Sequence, residues 1–247
     1  MIPNARNGKQ RKVTMGDRLL SVIIPVYNER KTVIPVIESV QQVDTTPYRK
    51  QIIVVDDGSS DGTSQILRQY TSEHPDIIVI FHEINKGKGA ALRTGFSAAQ
   101  GDAVIVQDAD MEYSPSDWGK MLPLLLEDKV DVVYGSRFRG RGTNWIWSHW
   151  LGNRALSIMT SLLYGRWVTD METCYKLIKK DILDQINLRA NRFEFEPEIT
   201  AKILKLGVRY KEVAISYHGR SFREGKKISW RDAFMACWTL LKYRFVD

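Results

Sequence analysis

The sequence predicts an α/β protein, a doubly wound and mostly parallel sheet in a single domain with an aromatic amphipathic helix at its C-terminus. Three observations carry this. Short β-branched apolar runs recur through the first half: Leu19-Leu20-Ser21-Val22-Ile23-Ile24-Pro25, Gln51-Ile52-Ile53-Val54-Val55, Ile77 to Phe81 and Ala103-Val104-Ile105-Val106. They lack the polar alternation of a half-solvated strand, so they read as strands covered on both faces. Segments of helical periodicity lie between them, and each run stops in a polar or glycine-bearing stretch. In a sheet wound this way, ligands bind at the carboxyl ends of the strands.

The elements follow in order. Pro25 stops the first strand, and a helix over roughly Lys31 to Gln42 follows. The second strand runs into Asp56-Asp57-Gly58-Ser59-Ser60-Asp61-Gly62-Thr63, and the next helix carries Ile66, Leu67 and Tyr70 on one face. After the third strand, Asn85-Lys86-Gly87-Lys88-Gly89-Ala90-Ala91-Leu92 is a turn that opens into a helix. The fourth strand ends in Asp108-Ala109-Asp110, and Ser114-Pro115 is a helix start. A strand is expected within Asp131 to Arg137, then an aromatic stretch from Trp145 to Trp150 and a helix near Arg154 to Tyr164. Phe193-Glu194-Phe195-Glu196 reads as an alternating, half-buried element, Tyr210 to Tyr217 as a strand, His218 to Lys227 as a basic loop and Trp230 to Phe245 as a helix. Residues 1–18 are expected to be a flexible basic leader and 19–247 the domain, with a first half at 19–138 and a second at 139–247.

At 247 residues, 43% of them hydrophobic and 26% charged, the chain is long enough for one large globular core. It has no run of roughly 20 apolar residues such as spans a bilayer. The leader lacks the apolar middle of a signal peptide, which leads us to expect a cytoplasmic protein. Cys174 and Cys237 match no metal-ligand spacing and are expected to be inert free thiols. A net charge of +7 favours anionic partners: nucleotides, phosphorylated lipids, anionic membranes or nucleic acid.

The acids at the strand ends narrow that choice. Asp108 and Asp110 are oxygen donors of the kind that hold Mg²⁺ or Mn²⁺ together with a substrate's phosphates. Pro25-Val26-Tyr27-Asn28-Glu29 and Asp56-Asp57-Gly58-Ser59 would set an aromatic ring, carboxylates and turn amides around the same crevice, which suits a nucleotide's base and ribose. Each motif alone also reads as a turn with a helix cap. Their placement at successive strand ends beside Asp108 and Asp110 favours the nucleotide. Nucleic acid is not an expected partner, because a polyanion-binding surface leaves the ordered acids without a purpose.

Together with Gly135-Ser136-Arg137-Phe138, these motifs resemble glycosyltransferase family 2, which has the GT-A fold. Within it they look most like the dolichyl-phosphate mannose synthases and bacterial polyprenyl-phosphate relatives. The resemblance covers roughly Leu20 to Phe138. It implies an inverting enzyme that moves a hexose from a nucleotide sugar of the GDP-mannose or UDP-glucose class to a polyprenyl phosphate. It further implies that Pro25, Tyr27, Glu29, Val55, Asp57, Asp108 and Ala109 contact the nucleotide sugar, and that Asp108, Asp110 and Glu112 bind the metal. Glu112 stands where glutamine is usual in those relatives, and it equally reads as a loop acid ahead of the Ser114-Pro115 helix start.

The second half bears on the acceptor. Sugar-hydroxyl acceptors need a general base, and the base and Gln-x-x-Arg-Trp motifs of polysaccharide synthases are absent from this sequence. Thr169-Asp170-Met171-Glu172-Thr173-Cys174-Tyr175-Lys176 instead resembles the Asp-x-Thr-Ser-Gly-Phe-Arg segment of the polyprenyl-phosphate enzymes. A lipid phosphate is already ionised and needs cations more than a base. The expected cations are Arg137, Arg220, Arg223, Lys226 and Lys227, with Asp110 and Arg137 at the reacting centre. Asp170 or Glu172 could instead serve as base for a hydroxyl acceptor. Trp145, Trp147 and Trp150, with Leu156, Ile158, Met159, Leu162 and Leu163, read either as an interfacial surface for a prenyl chain or as core or a homo-oligomer contact. The expected setting is peripheral, on the cytoplasmic face of a membrane, with a membrane-anchoring subunit or a second copy as a further partner.

Overall fold

In the computed structural model, residues 18–140, 142–143, 147–220 and 230–246 are described. Six strands run in one direction: β1 (Arg18–Val26), β2 (Tyr48–Asp56), β3 (Ile78–Phe81), β4 (Ala103–Val106), β5 (Val132–Ser136) and β8 (Tyr210–Ala214). With the antiparallel β7 (Lys176–Lys179) they form one sheet in the order β3-β2-β1-β4-β7-β5-β8. The helices are α1 (Val33–Gln42), α2 (Thr63–Glu73), α3 (Lys88–Ala98), α4 (Trp118–Leu126), α5 (Trp147–Tyr164), α6 (Lys180–Leu183), α7 (Phe195–Lys205) and α8 (Trp230–Phe245). A short ribbon of β6 (Gly142–Thr143) and β9 (Tyr217–His218) lies apart from the main sheet.

The apolar runs fill the sheet. Val22, Ile23 and Ile24 of β1, Ile53, Val54 and Val55 of β2, and all of β4 are buried and pack in one large core with α1, α3 and α4. At about 25 cal/mol per Å² of apolar surface removed from water, this burial is the main favourable contribution to folding. A smaller apolar cluster joins Leu156 and Val168 to Leu204, Ala236 and Leu240, and so ties α5, α7 and α8 together.

β1 lies between β2 and β4, so the chain winds outward from β1 in both directions. The carboxyl ends of β1 and β4 therefore flank the topological switch point, where a crevice opens. Close packing under that crevice depends on Gly95 in α3, where a Cβ would lie 2.3 Å from Ile23 Cγ2 of β1.

Three expectations change. Phe193 to Glu196 is no alternating element: it is the turn into α7, and Phe195 and Glu196 are both buried at the helix start. The single strand expected over Tyr210 to Tyr217 divides, β8 pairing with β5 in the main sheet and β9 with β6 in the ribbon. The stretch before Arg154 is helical, since α5 begins at Trp147. Strand β7 was not expected, because its sequence Lys-Leu-Ile-Lys is short and flanked by charge. Residues 1–17 of the leader, Trp145, Arg223, Lys226 and Lys227 lie outside the described residues.

Replacing Gly95 with valine should lower the urea midpoint by the equivalent of about 2 kcal/mol with an unchanged m-value, since β1 cannot recede from α3. An unaltered midpoint would show that the α3–β1 contact has slack.

Candidate active site

The loops after β1 and β2 are tied to each other. Asn28, at φ +55°, takes a bond from the Ser60 amide to its side-chain oxygen (2.8 Å) and donates its own amide to Ser59 Oγ (2.9 Å). Asp57 lies deeper. Its carboxylate accepts from Asn85 Nδ2 (2.9 Å) and from the amides of Lys86 (3.0 Å) and Gly87 (2.7 Å), and it pairs with His82 Nδ1 (2.7 Å). Gly87 sits at φ +99°, with Asn191 O only 2.3 Å from where a Cβ would be. Asp57 thus shapes the turn that starts α3, and with it the position of Lys88.

Lys88 meets Asp108 at 2.8 Å and Glu196 at 3.4 Å. Burial alone would depress its ammonium pKa; Asp108 and Glu196 outweigh this and hold it well above its ordinary value. Glu196 also pairs with the buried Lys176, which donates to the carbonyls of Met171 and Thr173. On the opposite side, Arg220 reaches Glu29 (3.2 Å) and Asp110 (3.1 Å). Glu112 accepts from the Arg220 amide (2.8 Å) and Tyr217 Oη (2.9 Å). Met111 carries φ +62° in the turn between the two acids. Burial, together with the charges of Asp108 and Glu112 and against the opposing Arg220, lifts the Asp110 carboxyl to about 7.

The second half supplies the other wall. Arg137, just past β5, donates Nε (2.8 Å) and Nη2 (2.7 Å) to the two oxygens of Asp170, which also accepts the Arg137 amide (2.8 Å). Thr169 donates its amide (2.8 Å) and hydroxyl (2.6 Å) to Glu212. Beside this clamp, Glu172 Oε1 and Thr173 Oγ1 are buried without a hydrogen-bond partner. Burial and the charge of Glu196 raise the Glu172 carboxyl to about 7, with Asp170 adding to the rise and Lys176 and Arg137 opposing it. Around this crevice, among the described residues, the acids are Glu29, Asp108, Asp110, Glu112, Asp170, Glu172 and Glu196, and the cations are Lys88, Arg137, Lys176 and Arg220. Acids outnumber cations, an imbalance that suits a divalent cation.

The crevice gathers many of the residues expected from sequence, in altered roles. Asp108 and Asp110 stand at the switch point with Ala109 buried between them. Pro25, Tyr27 and Glu29 are half-buried at the end of β1. Val55, expected to contact the nucleotide, is fully buried in β2 between β1 and β3, so its side chain belongs to the core. Asp57 spends its carboxylate on the 82–87 turn. Glu112 is turned to Tyr217 and Arg220, and among the described residues no three His, Cys, Asp or Glu converge to hold a metal by themselves. Asp108 and Asp110 nonetheless fit one, because two carboxylates and substrate phosphates commonly suffice. Arg137 gives one edge to Asp170, and Arg220 bridges acids of the first half. Sequence reasoning passed over Lys88, Lys176 and Glu196 as site residues; the signal for Lys88 was a lysine at the start of a helix facing an acidic strand end. Cys174 and Cys237 are free thiols, as expected.

Comparison with known proteins agrees with this arrangement. The model of glycosyl transferase family 2 matches residues 21–186. The chain belongs to this family. Among curated members of similar sequence, a UDP-N-acetylglucosamine–dolichyl-phosphate N-acetylglucosaminyltransferase of Methanococcus voltae is 32% identical over 235 residues, covering 87% of this chain and 92% of that protein. A polyprenol monophosphomannose synthase of Mycolicibacterium smegmatis is 30% identical over 214 residues, 83% of this chain and 79% of that one. The crystal structure of glucosyl-3-phosphoglycerate synthase from Mycobacterium tuberculosis with Mn²⁺ and UDP-glucose aligns with a TM-score of 0.71 at 19% identity, over 94% of this chain and 80% of that one. That likeness establishes the GT-A-type fold, and the family makes the chain a sugar-transferring enzyme.

Two substitutions probe the frame. Asp57→Ala strands two amides and two side chains and should cost roughly 3 kcal/mol in denaturant unfolding. Glu172→Gln should do the opposite at high pH. A carboxyl whose folded pKa is raised from 4.5 to about 7 costs nothing below the unfolded value and costs stability progressively as pH rises to the folded one. The variant should therefore match the parent's melting temperature at pH 4 and exceed it at pH 8, where its unfolding free energy is larger by on the order of 2 kcal/mol. Equal melting temperatures at both pH values would place Glu172 in an ordinary environment.

Proposed function

We propose that this enzyme transfers a single hexose, of the mannose or glucose class, from a nucleotide diphosphate sugar to a polyprenyl phosphate, with inversion. The observation that carries the reading is the Asp108–Asp110 pair at the switch point, in a crevice where, among the described residues, carboxylates outnumber cations. The names of the relatives add the acceptor class: one acts on dolichyl phosphate, another is a polyprenol monophosphomannose synthase, and a third, of Proteus mirabilis, is an undecaprenyl-phosphate 4-deoxy-4-formamido-L-arabinose transferase.

In this reading Tyr27 and Glu29 border the nucleotide, and Asp57 fixes the turn against which it lies. Asp108 and Asp110 hold Mg²⁺ or Mn²⁺. When bound, such an ion neutralises the leaving diphosphate, so no acid has to protonate it. The acceptor phosphate, ionised at neutral pH, is the nucleophile and is positioned by cations, for which Arg220 and the sequence-expected Arg223, Lys226 and Lys227 are proposed. Arg137 keeps the Asp170 wall of the crevice in place.

A second reading, transfer to a hydroxyl acceptor, is favoured by one observation: Glu172 has an oxygen without a partner and a carboxyl lifted to about 7, near the optimum for a base. Asp170 does not fit that role, because both its oxygens serve Arg137.

Purified enzyme with Mn²⁺, a panel of nucleotide sugars and a short-chain prenyl phosphate should yield prenyl-phosphate hexose by mass spectrometry. Asp110→Asn and treatment with EDTA should each lower kcat/KM by about 100-fold or more. Transfer only to sugar hydroxyls, abolished by Glu172→Gln, would replace the first reading with the second. Full activity of Asp110→Asn would remove the metal-assisted mechanism.

A further inference from the structure

Lys88 is held by the second half of the chain through its side chain and through its backbone. Its ammonium meets Glu196, at the start of α7, at 3.4 Å, as well as Asp108. Its backbone lies between two glycines that abut the loop leading into α7. A Cβ at Gly87 would lie 2.3 Å from Asn191 O, and one at Gly89 would lie 2.5 Å from Ala190 O. The Ala90 amide donates to Asn191 O (3.0 Å), and Arg93 Nη2 donates to Asn191 Oδ1. Contacts this close leave the two backbones no room to shift separately. The position of the loop therefore sets the position of the turn that carries Lys88.

Residues 184–194 form no helix or strand, so something outside the backbone ladders must hold them. Glu198, fully buried in α7, does so. Its carboxylate accepts the Arg189 amide on both oxygens (3.0 Å each), the Ala190 amide (2.6 Å) and Lys202 Nζ (2.7 Å). Lys202 also donates to Asn187 O in the same loop. From α8, the Tyr243 hydroxyl bonds to Glu198, and Lys202 Nζ lies 4.3 Å from the centre of the Tyr243 ring. Burial alone would raise the Glu198 carboxyl; the bonds from Lys202, Ala190, Tyr243 and Arg189 outweigh it and hold the group below its ordinary value. A buried carboxylate with this many donors is stable only in one geometry, and the loop amides are part of that geometry.

We propose that Glu198 is a positioning residue for the donor crevice: through the loop at 189–191 it fixes the turn at 87–89 and so sets Lys88 opposite Asp108. Helix α7 thus supports Lys88 twice, its side chain through Glu196 and its backbone through Glu198. Tyr243 extends the same line of contacts to α8. The inference rests on the nucleotide-sugar reading above and goes beyond it, because it assigns the geometry of the crevice to a carboxylate whose own bonds run to the loop, Lys202 and Tyr243.

The test is calorimetric titration of the full chain with UDP and with GDP, each in excess Mg²⁺ and without acceptor. It uses the parent, Glu198→Gln, Lys88→Met, Gly89→Ala and the double variant Glu198→Gln/Lys88→Met. Glutamine keeps the shape of Glu198 and removes its charge, while Gly89→Ala leaves Glu198 intact and presses on Ala190 O directly. Each single substitution should raise the Kd of the nucleotide that the parent binds by about tenfold. In the Lys88→Met background, Glu198→Gln should add less than about twofold, because the side chain it positions is gone. Losses in melting temperature should add across the same pair, so that folding and positioning are read apart. Parent-like binding by a folded Glu198→Gln or Gly89→Ala would overturn the proposal and leave the nucleotide reading in place. So would a Glu198→Gln effect of equal size with and without Lys88, since that would make the role purely structural. A parent that binds neither UDP nor GDP would reject the nucleotide reading and this inference with it.

Discussion

Like charge concentrated at the carboxyl ends of β1 and β4 is the constraint on which the rest of this molecule depends. Taking several carboxylates partly out of water is costly unless cations and hydrogen-bond donors meet them. The chain meets that cost from distant segments: Lys88 at the start of α3 pairs with Asp108, and Arg220 after β9 bridges Glu29 and Asp110. Lys88 also reaches Glu196, whose other cation is Lys176 on β7, while Arg137 after β5 holds Asp170 within the second half. The crevice is thus both the place where a charged donor can be received and the clasp that keeps the two halves in register.

The compensation is uneven, and the unevenness is informative. Asp57, Asp170 and Glu112 have both oxygens engaged, so they act on the shape of the crevice. Asp108 is met by Lys88, and Asp110 by Arg220 and the Glu112 amide; the two cations are side chains that a substrate or ion can displace. Glu172 and Thr173 retain buried polar atoms without partners. Satisfied acids build the walls, and under-satisfied ones remain for chemistry.

The first half was legible in the sequence because its strands are buried on both faces and its motifs lie directly at their ends, so local pattern and global topology agree. Val55 neighbours Asp56 and Asp57 at the end of a strand covered on both faces, and its side chain is buried there. The second half was less legible. β7 is four residues long and carries lysine at both ends, and its Lys176 is buried only because Glu196, twenty positions away, comes to meet it. Phe195 and Glu196 looked like alternation because a helix start and a strand share that local pattern. The structure brings Arg137 and Arg220 to the crevice, where their partners are set by tertiary contacts that no local rule reveals.

Strand β7 has a consequence for how the chain must be made. It runs against its neighbours and is wedged between β4 and β5, so the central sheet stays open along one side of β4 until residue 179 has emerged. Roughly 70 residues separate β4 from β7, which at ribosomal rates of about 5–20 residues per second leaves an apolar strand edge exposed for several seconds. A nascent chain in that state is a template for unwanted strand pairing. The short length of β4, four residues, limits what that open edge can recruit before the second half closes it.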